Sequence, residues 1–111
     1  MISQETRDIV ISEELMDARI PPLIENLAGQ DPVVREKARE AVLAIGKPAV
    51  PLLIQLLAHR GPHVRWEAAK ALCSIADPIA ATALVNALDD GDSDVRWVAA
   101  EGLTALGREG L

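Results

Sequence analysis

Apolar residues recur along this chain with the period of an α-helix, and the pattern occurs three times. Apolar or small residues follow each of the valines Val34, Val64 and Val95 at four, seven, eight and eleven positions, which places them on one stripe of a helix. Val64 follows Val34 by 30 residues, and Val95 follows Val64 by 31. A second apolar stretch precedes each stripe, with the members Leu23, Ile24 and Leu27, then Leu53, Ile54 and Leu57, then Leu84, Val85 and Leu88. The pattern predicts three helix pairs, and we name the earlier helix of each pair A and the later helix B.

The residues before the B stripes favour helix starts. Asp31 and Asp92 carry side chains that accept hydrogen bonds from the free N–H groups of a first helical turn. Pro32 and Pro62 suit the first helical position, where a missing N–H group costs nothing. We therefore expect B helices to begin at these positions.

The residues after the B stripes favour helix ends. Gly46 and Gly107 suit left-handed C-terminal caps, and Pro48 and Pro78 then lead towards the next A helix. The additional residue of the second spacing is expected in the turn that lies between residues 76 and 84.

Stacked helix pairs of this length form a solenoid, because a single pair cannot bury its own apolar stripe. The Asp-Pro-x-Val-Arg start at 31–35, the Ala-x-x-Ala-Leu run at 68–72 and the Ile-Gly end at 45–46 resemble the short HEAT-like repeats of the phycobilisome lyase type. The resemblance covers roughly residues 19–107. It implies an all-α, right-handed α-α superhelix with the B helices on its concave surface.

The predicted organisation has five segments. An N-terminal capping segment spans 1–18, the repeats span 19–46, 47–76 and 77–107, and 108–111 aligns with the start of a further repeat. The apolar residues of the capping segment are expected to cover the first pair: Ile9, Val10, Ile11, Leu15 and Met16. At the other end, either a longer protein was truncated or the last pair presents apolar surface to a partner or to a second copy.

Composition and charge narrow the class of partner. The chain has 111 residues, half of them apolar and none of them Phe or Tyr, so its core must consist of aliphatic side chains and alanines. The net charge of −6 disfavours nucleic acid and anionic membranes, whose recognition depends on attraction to phosphate. The longest apolar stretch, 49–58, is too short to span a bilayer, and the start lacks the features of a secretory signal. We therefore expect a cytoplasmic protein.

Chemistry-bearing residues do not form a catalytic pattern. HEAT-like deoxyhypusine hydroxylases hold two irons with His-Glu pairs, and the equivalent positions in this chain are Glu36-Lys37, Trp66-Glu67 and Trp97-Val98. Only Glu67 matches, so neither a metal nor another cofactor is expected. His59 and His63 are interpreted as exposed loop histidines. Cys73, the single cysteine, is interpreted as an ordinary, partly exposed thiol, because no histidine lies within a helical turn of it.

Arg35, Arg65 and Arg96 each follow a repeat valine. They form either an anion-binding ladder or a structural ladder that bonds helix ends and loop carboxylates such as Asp31, Asp92 or Asp94. The resemblance favours the structural ladder, since the equivalent arginine in HEAT-like repeats is usually structural.

Trp66 and Trp97 occupy equivalent positions and lie about 180° from the apolar stripe at 100° per residue. Both are predicted to point away from the core, side by side on the concave surface, with Ala69 and Ala100 leaving a shallow groove. They either bind a partner or pack on each other and on the stems of Arg39 and Lys70. The predicted partner-binding set is Trp66, Trp97, Arg39, Lys70, Glu101 and Glu36.

These features predict a non-catalytic protein-protein interaction module that binds another protein or a peptide on its B-helix face. One alternative is a subunit of a phycobilin lyase or a related chromophore-handling enzyme, in which the indoles flank a planar ligand. Another is a spacer fragment of a larger HEAT-repeat scaffold. End-to-end self-association through the C-terminal repeat is a further expectation.

Overall fold

The computed structural model describes residues 17–110, with side chains for residues 17–108. The apolar residues 9–11, 15 and 16, which are expected to cap the first repeat, therefore lie outside the described part, as does Leu111. The capping prediction stays a prediction.

Six α-helices and two short 3₁₀ turns make up the regular structure between residues 17 and 110. The helices are α1 (Ile20–Leu27), α2 (Pro32–Ile45), α3 (Val50–Leu56), α4 (Pro62–Ile75), α5 (Ala81–Ala87) and α6 (Ser93–Gly110). The 3₁₀ turns Lys47–Ala49 and Pro78–Ala80 lead into α3 and α5. The odd-numbered helices are the predicted A helices and the even-numbered ones the predicted B helices, so the all-α arrangement of three pairs is confirmed.

The predicted helix starts are confirmed. The backbone N–H of Val33 donates to the Asp31 carboxylate at 2.9 Å. The Asp92 carboxylate accepts from the N–H groups of Asp94 and Val95 at 2.9 and 3.1 Å. Helices α2 and α4 begin at their prolines, as expected from the missing N–H group.

One of the two predicted glycine caps is wrong. Gly46 ends α2 with a φ of 75° and donates its N–H to the Val42 carbonyl at 2.9 Å, but its ψ of −131° lies outside the left-handed helical region. Gly107 does not end α6, which continues to Gly110. The reason lies in the following residues: a proline stands two positions after Gly46 and two after Ala76, whereas Glu109 stands two positions after Gly107. Residues 108–110 therefore continue the helix rather than opening a turn.

The end of α4 uses a residue that carries a side chain. Ala76 adopts the left-handed conformation, at φ 56° and ψ 41°. The additional residue of this repeat is Asp77, which accepts a hydrogen bond from the N–H of Ile79 and so caps the 3₁₀ turn. The insertion thus falls in the turn where it is expected.

The core consists of aliphatic residues from both helices of each pair. Its fully buried members include Leu27, Val42, Leu53, Val64, Leu72, Leu84, Val95 and Ala99. Val34 departs from the predicted stripe, since it is 38% exposed and the buried residues of the first-repeat stripe are Ala38 and Val42. Within the described residues each A helix packs on its own B helix, and α4 packs closely along α6. Gly102 of α6 lies close to Cys73 of α4 and to Leu84 of α5, where an added Cβ would stand 3.4 and 3.1 Å from their side chains.

Candidate interaction surface

The positions two residues after each repeat valine lie on α2, α4 and α6. Together with Arg39, Lys70 and Glu101 they form one surface, which we call the tryptophan face. Glu36, Trp66 and Trp97 occupy those positions. The two indoles are not equivalent. Trp97 is 70% exposed, whereas Trp66 is half-buried and packs against the hydrophobic core. The prediction that both point away from the core is therefore right for Trp97 and wrong for Trp66.

Arg39 explains the environment of Trp66. Its guanidinium carbon lies 5.6 Å from the centroid of the Trp66 ring, which is the geometry of a cation–π contact. The same guanidinium donates from Nη1 to both oxygens of Glu67, at 3.0 and 2.8 Å. Arg39 is predicted from the sequence to set the polarity towards a partner, but the structure places it in these internal contacts.

Glu67 is the residue that the sequence reasoning missed. The sequence presents it only as a remnant of a metal ligand pair, yet it is 4% exposed and holds the first and second repeats together. The Nε atom of Arg35 approaches the same carboxylate at 3.9 Å. A signal is present in the repeat alignment, because the equivalent position in the third repeat is the apolar residue Val98, which is buried. A carboxylate at a buried position requires a cationic partner.

Ala69 explains why Trp97 is exposed. It stands five residues after its repeat valine, as Arg39 does in the first repeat, so at this position the second repeat has no long side chain to lay against the indole of the third. Ala69 is fully buried, which corrects its predicted place on the open surface, whereas Ala100 is exposed as expected. The missing side chain at Ala69 thus leaves Trp97 without the cover that Arg39 gives to Trp66.

The remaining predicted site residues lie along the same face. Lys70 is half-buried and Glu101 is exposed, and both act electrostatically on the Cys73 thiol between α4 and α6. Burial raises the pKa of Cys73, Glu101 raises it further and Lys70 opposes the increase. Glu36 is exposed on α2, at the position that Trp66 occupies on α4.

An open groove of about 510 Å³ runs beside Trp66 at the N-terminal ends of α4 and α6. Its lining residues are Arg35, Pro62, His63, Trp66, Glu67, Asp92 and Asp94. The carboxylates of Glu67 and Asp92 are engaged, by Arg39 and by backbone N–H groups respectively. Asp94 is exposed and contributes negative charge to the groove.

A sequence model of HEAT repeats matches residues 20–104, which is most of the chain and extends into all three helix pairs. The chain belongs to the HEAT-repeat family. HEAT repeats generally mediate protein-protein interactions or scaffolding. A comparison with curated proteins gives no significant match.

The arginine ladder of these HEAT repeats is structural, as predicted. Arg35 donates to the carbonyls of Gly29 and Gln30, at 3.0 and 2.8 Å, in the loop between α1 and α2. The other two arginines make equivalent bonds: Arg65 to the carbonyls of His59 and Arg60, and Arg96 to that of Asp90. Each arginine therefore fastens the loop of its own HEAT repeat.

The carboxylate partner in the ladder is not among those predicted. Arg65 donates from Nε and Nη2 to the two oxygens of Asp90 in the next repeat, at 2.8 and 3.0 Å. Asp31 and Asp92, which the sequence suggests as partners of the arginines, cap helices instead, because a free N–H group lies two residues away. Burial raises the pKa of Asp90, but the bonds from Arg65 and from the Asp92 N–H outweigh it, so the net shift is downward.

The histidines of the second HEAT repeat lie at the surface. Both His59 and His63 are exposed, and the His59 Nδ1 atom accepts a hydrogen bond from the Gly61 N–H at 2.9 Å. Among residues 17–108, no group of three or more His, Cys, Asp or Glu side chains is arranged to hold a metal ion. In the same part of the chain, no helix has both the length and the apolar character needed to cross a membrane.

Proposed function

We propose that this chain is a non-catalytic interaction module whose partner, a protein or a peptide, contacts the tryptophan face around Trp97. The observation that carries the proposal is the 70% exposure of an indole on the face formed by the B helices. Tryptophan is enriched among residues that dominate binding energy, because it offers a large rigid surface at low entropic cost. The general role of HEAT repeats in protein-protein interaction or scaffolding supports the proposal of an interaction module.

The two tryptophans have different roles in this proposal. Trp97 is the contact residue, and Glu101, Glu36 and Lys70 supply polar surroundings from the same face. Trp66 acts mainly by packing, since it lies against the core and beneath Arg39. Replacing both indoles together would therefore confuse loss of binding with loss of stability.

The test is affinity capture from a lysate of the source organism with the native chain and with Trp97→Ala. Because Trp97 is largely exposed, its removal is expected to leave the free energy of unfolding within about 0.5 kcal/mol of the native value. Ile79→Ala is the matched control, since Ile79 is 68% exposed but belongs to the 3₁₀ turn before α5.

We expect at least one protein to be retained by the native chain and by Ile79→Ala, and to be lost with Trp97→Ala. The retained protein should then bind the purified native chain directly, as measured by calorimetry. Identical capture from all three chains would exclude Trp97 as the contact residue and with it this proposal.

A further inference from the structure

The contact between Arg39 and Trp66 has no counterpart at Trp97. In the first interface between repeats, a guanidinium from one repeat covers the indole of the next at 5.6 Å. In the second interface the equivalent cation is replaced by Ala69, which is fully buried and leaves the indole open. The indole of the second repeat is thus covered by a cation, and the indole of the third repeat is not.

The charges that surround Trp97 favour a cation from outside. Asp94 lies three residues before Trp97 and Glu101 four residues after it on α6, so both project from the same side of the helix as the indole. Both are exposed. The composition adds to this local field, because the net charge of −6 attracts basic partners over longer distances.

Of the cations nearest this site, Arg39 and Arg96 are directed towards other groups. Arg39 is held by Glu67, and Arg96 donates to the Asp90 carbonyl. Arg108, on the same face of α6, is eleven residues from Trp97, or about 16 Å along a helix. Lys70 follows Ala69 directly on α4, where it is half-buried and acts on Cys73.

We propose that Trp97 binds an arginine side chain of a basic segment in the partner protein, with the guanidinium over the indole and the carboxylates of Asp94 and Glu101 beside it. This inference rests on the proposed function, because it names the chemistry of the partner at the same surface. Arginine fits better than lysine, since its planar guanidinium stacks on an aromatic ring and donates to a carboxylate at the same time. A second copy of this acidic chain or a nucleic acid would meet the same carboxylates with a negative charge.

The test uses a fluorescein-labelled peptide of four arginines separated by Gly-Ser pairs, titrated with the full chain and followed by anisotropy at low salt. A lysine peptide of the same spacing keeps the positive charge but lacks the planar guanidinium. A citrulline peptide of the same spacing keeps the planar shape but lacks the charge. We expect the arginine peptide to bind most tightly, and Trp97→Leu to weaken it by about fivefold or more. Asp94→Asn and Glu101→Gln should each weaken it, whereas Ile79→Ala should not.

Equal affinity of the native chain and Trp97→Leu for the arginine peptide would overturn the proposal, because the peptide would then be held by charge alone. Equal binding of the citrulline peptide, or no binding of the arginine peptide, would overturn it as well. A native dimer that is lost in Trp97→Leu, measured by sedimentation, would assign the face to a second copy instead. If capture depends on Trp97 while the arginine peptide fails, the interaction module stands and only the arginine assignment falls.

Discussion

The Nη1 atom of Arg39 on α2 donates to both carboxylate oxygens of Glu67 on α4, 28 residues later in the chain. The acceptor is 4% exposed, so the bond joins two repeats through a buried charge rather than through a surface ion pair. Exposed pairs contribute little to stability, but a buried carboxylate that loses its partner is costly. At the junction between the second and third repeats, Ala69 and Val98 occupy the equivalent positions, and the ion pair that joins those repeats is Arg65–Asp90.

Glu67→Ala should lower the free energy of unfolding by roughly 2 kcal/mol, because it leaves Arg39 and Arg35 without their shared carboxylate. The expected loss is below that for a fully buried pair, since the two arginine side chains are 26% and 21% exposed. Urea denaturation measures the loss. Glu36→Ala is the control. Glu36 is exposed on α2, so its replacement should change the stability little. Equal stability of the two variants would show that the buried pair contributes nothing.

Asp90 should make the free energy of unfolding depend on pH in the acid range. Its folded pKa lies below the ordinary value of 3.8, so its contribution is fully present above that value and is lost as the pH falls through the lower folded pKa. Asp90→Asn removes this contribution. The difference in unfolding free energy between the native chain and Asp90→Asn is therefore expected to be largest near neutral pH and to shrink in acid.

The comparison with Asp90→Asn is needed because the native chain has another acid-sensitive carboxyl group. The pKa of Asp17 is lowered to about 2 by its hydrogen bonds with Arg19, and this pair is retained in the variant. Exposed Asp89, replaced by Asn, is the control for removing a charge beside Asp90. A difference between native chain and Asp90→Asn that does not change with pH would contradict the role of the Arg65–Asp90 bond.

The sequence was sufficient to predict the helix pairs, because each rests on a period that is repeated and on caps that act within a few residues. Helix starts at Asp31, Asp92 and the two prolines depend only on local hydrogen bonds. The environment of each indole was not predictable in the same way. It depends on which side chain the neighbouring repeat places over it, and Arg39 and Ala69 differ at that one position. The repeat pattern therefore predicts the helices but not the side-chain contacts between repeats.

Cys73 should react slowly with iodoacetamide at neutral pH. Burial raises its pKa above the ordinary 9.0, and Glu101 raises it further, so less thiolate is present than in an exposed cysteine. Glu101→Gln is expected to shift the pH–rate profile to lower pH, and Lys70→Gln to shift it to higher pH. The chain unfolded in urea is the reference for an unhindered thiol. Rates that are equal in the native and unfolded chains would contradict the effect of burial.

Gly107→Ala should stabilise the protein by about 0.5–1 kcal/mol, because Gly107 lies within α6 and an added Cβ would meet nothing within 4 Å. Gly102→Ala is the matched variant on the same helix. There the new Cβ would lie 3.1 Å from Leu84 Cδ1 and 3.4 Å from Cys73 Cβ, in a region where Leu84 is fully buried. The gain in helix propensity is then offset by overpacking, so Gly102→Ala should be less stable than Gly107→Ala by about 1 kcal/mol or more. A loss of stability in Gly107→Ala would instead indicate a left-handed cap at Gly107, because alanine is strained there, and α6 would end where the sequence pattern alone predicts.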